Sequence, residues 1–557
     1  MSDAGAQPEP ATIPPQKDFP VEWASPDEQK IPWELDLMHF NQVMPALEAA
    51  YWVHFFRGAD LAMQHFEVPL QGVAKPFNYW LYTGIFPRVP PEQMAEQEKL
   101  SDEVLMATVD RLQERWDEEW LPEIKRQIEE WDAFDVAAAS TEDLRAHWTE
   151  VWEDALRLAE IHFQIVLPAY IALSLFDELH NELFAGDQLD SQKLVQGFDN
   201  KTLEVNRAVW DLSRKAGASD EVREIFEKHP PGEVMDALAE SSDGQAFLEE
   251  LDDFLNREGK RTSDWGIRRG SWIEDPTPVL GHLKGYLEQE GDPREELKER
   301  AADRDAALAE TRARLKHHPP DVRDEFERRL DAASVGVVLS EDHGYWIDFQ
   351  ATYRIRRLIM ELGRRLADAG TLATAADIFF LDRDEIEEAV DASSWPDHTG
   401  QVEARKKEME HFASLKPPPF MGTDYGLPPP GMLSNALGKF FGAPAAQGDA
   451  EEVVTGNAGS AGKFRGTARV VRSLDEADKL GLGEILVAET TSPSWTPLFA
   501  TAAGIVTDRG GILSHCAVVA REYGIPAVVG TGVATSMIRD GQTIEVDGDA
   551  GQVRLFG

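Results

Sequence analysis

Apolar residues recur along most of the chain at the spacing of a helix face. Leu105, Val109, Leu112, Trp116 and Trp120 are separated by four, three, four and four positions, with charged residues between them. That period places one stripe against a core. Leu121, Ile124, Ile128 and Trp131 continue it past Pro122, which is expected to break or kink the helix because proline has no N–H to donate. Ser140 with Asp143 has the form of an N-terminal cap for a helix through Trp148, Trp152 and Leu156. Another long helix is expected from about Tyr345 to Asp368, stopped at Gly370. No strand alternation is legible before residue 460. Residues 1–20, rich in Pro, Ala and Gln, read as a disordered N-terminus.

Near residue 460 the period changes. The segments 464–471, 484–489, 503–507, 526–529 and 543–556 read as short strands punctuated by glycines, and Ser514 to Tyr523 reads as a helix between two of them. The stretch before them, GAPAAQGDAEEVVTGNAGSAG, is small, polar and glycine-rich, as a tether would be. The expected fold class is therefore multidomain, α plus α/β. A large helical, substrate-binding domain covers 21–440, a linker 441–462 and a small β/α domain 463–557.

Charge separates the same two regions. The chain holds 101 acidic and 55 basic residues, a formal net of −46. From residue 461 onward there are nine basic and eleven acidic residues, so −44 of that charge precedes the β/α domain. A general nucleic-acid binder needs a basic footprint, and anionic membranes would repel such a surface. One cysteine, Cys516, excludes an internal disulfide and a cysteine-based zinc site. The N-terminus has neither a basic nor an apolar segment of a signal peptide. The longest apolar run, about 14 residues from Phe163, is short of a membrane span of roughly 18 or more. A cytoplasmic location is expected, with neither nucleic acid nor membrane as partner.

The chemistry concentrates in IVTDRGGILSHCAVVAREYGIPAVVGTG, residues 505–532. A strand leads into Gly510 and Gly511, then into Ser514–His515 at a helix start. Unpaired N–H groups and the positive dipole end favour an anion there. Paired glycines allow close backbone approach, and Ser514 is a good N-cap and hydroxyl donor. His515 is thereby placed to accept a phosphoryl group as a nucleophile, the oxygens being met by backbone N–H groups and Ser514.

The pieces TTSPSWTPLF (490–499), AGIVTDRGGILSHCAVVARE (503–522) and GIPAVVGTG (524–532) resemble the phosphohistidine, swivelling domain of the PEP-utilising enzymes. The resemblance implies that His515 is phosphorylated, with Ser514, Gly510 and Gly511 in the motif positions around it and Arg521 and Glu522 in the segment that follows. In phosphoenolpyruvate synthase and pyruvate phosphate dikinase an acceptor barrel follows that domain; with about 40 residues after His515, no such barrel is expected here. No Walker-type loop is present. The segments 254–276 and 341–386 are similar to the substrate-binding region of rifampin phosphotransferase. The arrangement also resembles the histidine- and acceptor-carrying subunit of phenylphosphate synthase-type dikinases. That resemblance implies a separate ATP-grasp subunit supplying ATP and Mg²⁺, with none bound by this chain alone, and a small organic hydroxyl acceptor, plausibly phenolic. A rifamycin-type antibiotic phosphotransferase component, or a non-catalytic phosphohistidine carrier, are the alternatives.

Lys260 and Arg261 form a basic island in an acidic region, and the same resemblance places them near the transferred phosphate as charge stabilisers. On the acceptor side, the aromatic cluster containing Tyr79 and Trp80 suits a planar ligand, and His39 and His343 are further substrate-binding candidates, as bases or ligands. The run Glu341–Asp342–His343 lacks spaced partners, so no metal site is expected.

Overall fold

The computed structural model describes residues 11–37, 39–184, 188–262, 265–289, 291–391, 396–424, 431–442, 452–492 and 495–556. Its beam is the 44-residue helix Thr141–Phe184, capped by Ser140, whose hydroxyl accepts from the Asp143 N–H and donates to the Asp143 carboxylate. Every residue from Gln164 to Ser174 is buried. A helix apolar on all sides needs neighbours on all sides. The helices Ala46–His65, Pro320–His343 and Met432–Phe441 supply them. By length and composition this helix could cross a membrane, but 78% of its most apolar window is buried inside the protein, so its apolarity is used in the core.

The stripe Leu105–Trp120 is buried as its period requires. Pro122 does not end the helix. A wide π turn, Trp116–Trp120, precedes Leu121–Ala133 and places the proline in that helix's first turn, where its missing N–H is not needed. A second π segment, Gly344–Ala351, joins Pro320–His343 to Thr352–Asp368, and Gly370 adopts φ +81° beyond the end. Five helices between Lys201 and Leu287 enclose a separate core around Val209, Phe226 and Leu280.

The helical part also contains a sheet, contrary to the sequence reading. Strands β1 (Ala11–Ile13), β2 (Pro32–Leu35), β3 (Leu70–Phe77), β4 (Trp80–Pro87) and β5 (Phe420–Asp424) pair antiparallel in the order β1-β5-β2-β4-β3. Phe19 is 1% exposed beneath it, against Tyr82 and Phe412. Residues 11–20 are thus held by sheet pairing and an aromatic anchor, not disordered; residues 1–10 lie outside the described ones.

The C-terminal region is an eight-stranded mixed sheet. Its strands are β6 (Val453–Thr455), β7 (Asn457–Ser460), β8 (Lys463–Val470), β9 (Ile485–Ala488), β10 (Gly504–Thr507), β11 (Ala527–Val529), β12 (Thr543–Asp547) and β13 (Gln552–Leu555). Their order is β6-β13-β12-β8-β9-β10-β11-β7, with β8, β9, β10 and β11 parallel. Two of these strands, β6 and β7, come from the stretch read as a tether: pairing with β13 and β11 satisfies their backbones. Residues 443–451 of that stretch lie outside the described residues.

Candidate functional site

Parallel β10 delivers the chain to a turn at 508–513, and Ser514 then caps the helix His515–Tyr523. The Ser514 hydroxyl accepts from the Ala517 N–H at 3.5 Å, so it serves the helix as well as facing its mouth. Gly510 takes φ +104°, which a side chain would resist, and a Cβ there would lie 2.8 Å from Ser514 Oγ. Gly511 makes room for protein rather than ligand. A Cβ on it would collide with the Lys439 carbonyl, because the turn is seated on the end of the helix Met432–Phe441. Gly511 N–H donates to Phe440 O at 2.8 Å and Leu513 N–H to Lys439 O at 3.1 Å.

The imidazole of His515 faces the helical region. Its Nδ1 lies 3.2 Å from Glu341 Oε1, and its Nε2 lies 3.4 Å from Thr496 Oγ1. The side chains of His515 and Glu341 are 9% and 4% exposed, so solvent barely reaches the pair. A carboxylate can only accept, so Nδ1 carries the proton and the lone pair is left on Nε2. The other Glu341 oxygen accepts from Thr202 at 3.2 Å. Phe499 packs beside the ring at 6.2 Å. The buried Cys516 thiol is pushed up to about 12 by its burial, which disfavours the reactive thiolate.

The far end of the histidine helix is a docking surface. Arg521 donates to the carbonyls of Gly459 and Ile512; it braces the sheet. Glu522 accepts from the Gly197 N–H with both oxygens, at 3.1 and 3.0 Å, and Asn206 donates to the Tyr523 hydroxyl at 2.9 Å. Burial pushes the Glu522 carboxyl up to about 7, against the pull of Gly197, Arg521 and Arg300. A raised carboxyl holds its proton in the docked state after a solvated one has lost it. Its contribution is therefore complete below about pH 4.5 and lost as pH rises through about 7. Stability of the chain is expected to fall over that window by an amount on the order of 3 kcal/mol. Glu522→Gln, neutral throughout, should flatten this part of the profile; denaturant melts across the pH range measure it.

Among the residues singled out from sequence, the structure brings Ser514, Gly510 and Gly511 to His515 and leaves Tyr79, Trp80, Lys260 and Arg261 without a bond to it. Tyr79 and Trp80 belong to the β3–β4 hairpin: the Tyr79 hydroxyl donates to Glu408 at 2.8 Å, and the Trp80 indole N–H donates to Phe412 O at 3.2 Å. Both polar atoms are used in holding the sheet. Arg261 is 4% exposed, with its guanidinium between the rings of Trp272 (4.6 Å) and Phe349 (4.4 Å), and burial lowers it to about 10. Among the described residues, neither it nor the half-buried Lys260 bonds or pairs with His515.

His39 lines a cleft between the two regions, with Trp265 and Arg269 on one wall and Arg472 and Trp495 on the other. Its ring lies 5.2 Å from that of Trp265, and its Nδ1 is 2.9 Å from Asp36 Oδ1. Burial pulls its pKa down, but the Asp36 carboxylate and the charge of Asp348 together outweigh burial and the net shift is upward. That favours donation to a ligand over proton abstraction. Trp495 on its wall directly precedes Thr496, whose hydroxyl lies 3.4 Å from His515 Nε2. His343 is buried; its Nδ1 lies 2.7 Å from Leu339 O, and burial pushes it down to about 4, so the ring is neutral.

Sequence reasoning missed Glu341 as the partner of His515, and Thr496, His162 and Asp348 altogether. The only signals were the acidic run at 341–343 and the motif segment 490–499; no spacing rule joins positions 341 and 515.

Comparison with known proteins agrees with this geometry. Residues 162–341 match the rifampicin phosphotransferase fourth domain, and residues 481–551 match the mobile domain of PEP-utilising enzymes. The chain is 40% identical to part of the chondramide synthase cmdD of Chondromyces crocatus, over 98% of its own length and 14% of that protein's. It is 28% identical to the uncharacterized phosphotransferase YvkC of Bacillus subtilis, over 71% of this chain and 47% of that one. It is 31% identical to a rifampicin phosphotransferase of Streptomyces sviceus, over 64% of this chain and 40% of that one. It thus spans less than half the length of these relatives. They also correct one expectation. Rifampicin phosphotransferases are single chains with their own ATP-binding domain, and in the synthase nearly the whole of this sequence lies within one longer polypeptide, so a separate ATP-grasp subunit is not supported. The C-terminal region that carries His515 thus matches the mobile domain of PEP-utilising enzymes, and the helical region facing it resembles that of the rifampicin phosphotransferases.

Proposed function

We propose that this chain carries a phosphoryl group on His515 Nε2 and transfers it to a hydroxyl group of an acceptor held against the helical region. One observation carries the reading. A nearly buried histidine at a helix start has its Nδ1 on Glu341 of the other region, which leaves Nε2 as the nucleophile. ATP, with Mg²⁺, is the donor. Nε2 displaces AMP from its β,γ-diphosphoryl unit, water releases orthophosphate, and phospho-His515 remains. The acceptor oxygen then attacks phosphorus in line, the P–N bond breaks, and the pair returns to Nε2.

The cleft beside Thr496 is lined by two indole rings, Trp265 and Trp495, with His39 and two arginines around them. That lining suits a planar, hydroxylated, phenolic acceptor. The rifampicin phosphotransferase relatives favour a second reading, a larger rifamycin-like aromatic acceptor in the same cleft. The chain is incubated with phosphoramidate, which phosphorylates histidine without a nucleotide site. Peptide mapping under non-acidic conditions should find the label on His515, and ³¹P NMR should assign it to Nε2. A panel of simple phenols and a rifamycin then separates the two acceptors by which becomes phosphorylated. Label on other histidines only, or on Nδ1, would remove the reading.

A further inference from the structure

His162, His343 and Asp348 come from three segments: the helix Thr141–Phe184, the last residue of Pro320–His343, and the π segment Gly344–Ala351. Their ligand-type atoms all lie within 4.8 Å of one another. His162 Nδ1 is 3.0 Å from Asp348 Oδ1, and His343 Nε2 is 3.9 Å from Asp348 Oδ2. Atoms bound to one divalent ion at about 2.1 Å stand about 3.0–3.4 Å apart. One imidazole and the carboxylate already have that spacing, and the other imidazole lies about half an ångström beyond it. His343 is also oriented as a ligand is: Nδ1–H donates to the Leu339 carbonyl, and the Nε2 lone pair is turned to the carboxylate.

Charge supports the same conclusion. Asp348 is 11% exposed, and its partners are the two histidines. Among the described residues, no lysine or arginine pairs with Asp348. Buried carboxylates need a compensating cation. From this geometry we infer that His162, His343 and Asp348 bind one divalent transition-metal ion of the Zn²⁺ or Co²⁺ type, with further positions left for water or ligand oxygens. Two imidazoles and one carboxylate favour such an ion over Mg²⁺, which prefers oxygen ligands alone.

Such an ion has a use in transfer, a role that rests on the reading above. A phosphoryl group on His515 brings about two negative charges beside Glu341. A dication two residues along the chain from Glu341 offsets them and polarises the acceptor oxygen.

The test uses the full chain, stripped with a chelator and titrated with Co²⁺ alone. One equivalent is expected to bind with visible d–d absorption, to be displaced by Zn²⁺, and to raise the melting temperature. Asp348→Asn and His343→Gln should each weaken binding about tenfold or more. His54→Gln should not, since that ring bonds the Trp152 carbonyl outside the cluster. The melting shift is read on the unmodified chain, so it stands even if a variant fails to fold. Failure of the unmodified chain to bind Co²⁺ stoichiometrically, or unchanged binding in a folded Asp348→Asn, overturns the site. No nucleotide enters this titration. A chain that binds Co²⁺ but is never labelled at His515 keeps the metal site and loses only the transfer reading; a labelled chain that binds no ion does the reverse.

Discussion

His515→Ala is expected to abolish phosphoryl transfer to any acceptor, by at least about a thousandfold, because the covalent route has no substitute nucleophile. The nearest side chains cannot replace it. Thr496 offers a hydroxyl that lies against the ring that would be lost, and Glu341 is deeply buried. The alanine leaves the fold almost untouched: Ser514 still caps the helix, and the glycine turn still sits on Lys439 and Phe440. Its melting curve should therefore match that of the unmodified chain while product formation stops, as followed by ³¹P NMR of the acceptor. Residual transfer above about a hundredth of normal would show that the phosphoryl group travels by another path.

Gly511→Ala should have a large effect of a different kind. The added methyl falls on the carbonyl of Lys439, and the turn must lift away from the helix Met432–Phe441, straining the bonds to Phe440 O and Lys439 O. Overpacking of this sort costs about 1–3 kcal/mol. If the seat is the transfer position, acceptor phosphorylation falls about tenfold to a hundredfold. Labelling of His515 by phosphoramidate, which needs no seat, stays near normal. Equal loss in both measurements would mean that the substitution damages the histidine turn itself and that the seat has no special role.

Local signals made part of this molecule legible. The helix stripe from Leu105 to Trp131, the Ser140 cap and the histidine helix each depend on residues within a few positions of one another. The five-stranded sheet was hidden for two reasons. Its strands are gathered from residues 11–35, 70–87 and 420–424. β3 is half-buried along almost its whole length, so it shows no alternation. The hairpin between β3 and β4 turns through Asn78 and Tyr79 at positive φ, with a tyrosine where glycine is usual, so its turn signal is weak too. The site divides in the same way. The glycine pair, Ser514 and His515 are contiguous and readable, whereas the purpose of Gly511 depends on a carbonyl 72 positions earlier, and Glu341 stands 174 positions from its partner.

The helix Thr141–Phe184 touches both halves of the proposed chemistry. Near its middle it carries His162. Three to four turns later Asp177 and the Ser174 carbonyl hold Lys439, whose own carbonyl receives the histidine turn. One rigid rod thus works as a ruler: it sets the gap between arriving donor and waiting acceptor without any loop intervening. Pro168 lies on that rod between the two marks. A change of bend there would misalign the reactants together while each, taken alone, stayed intact.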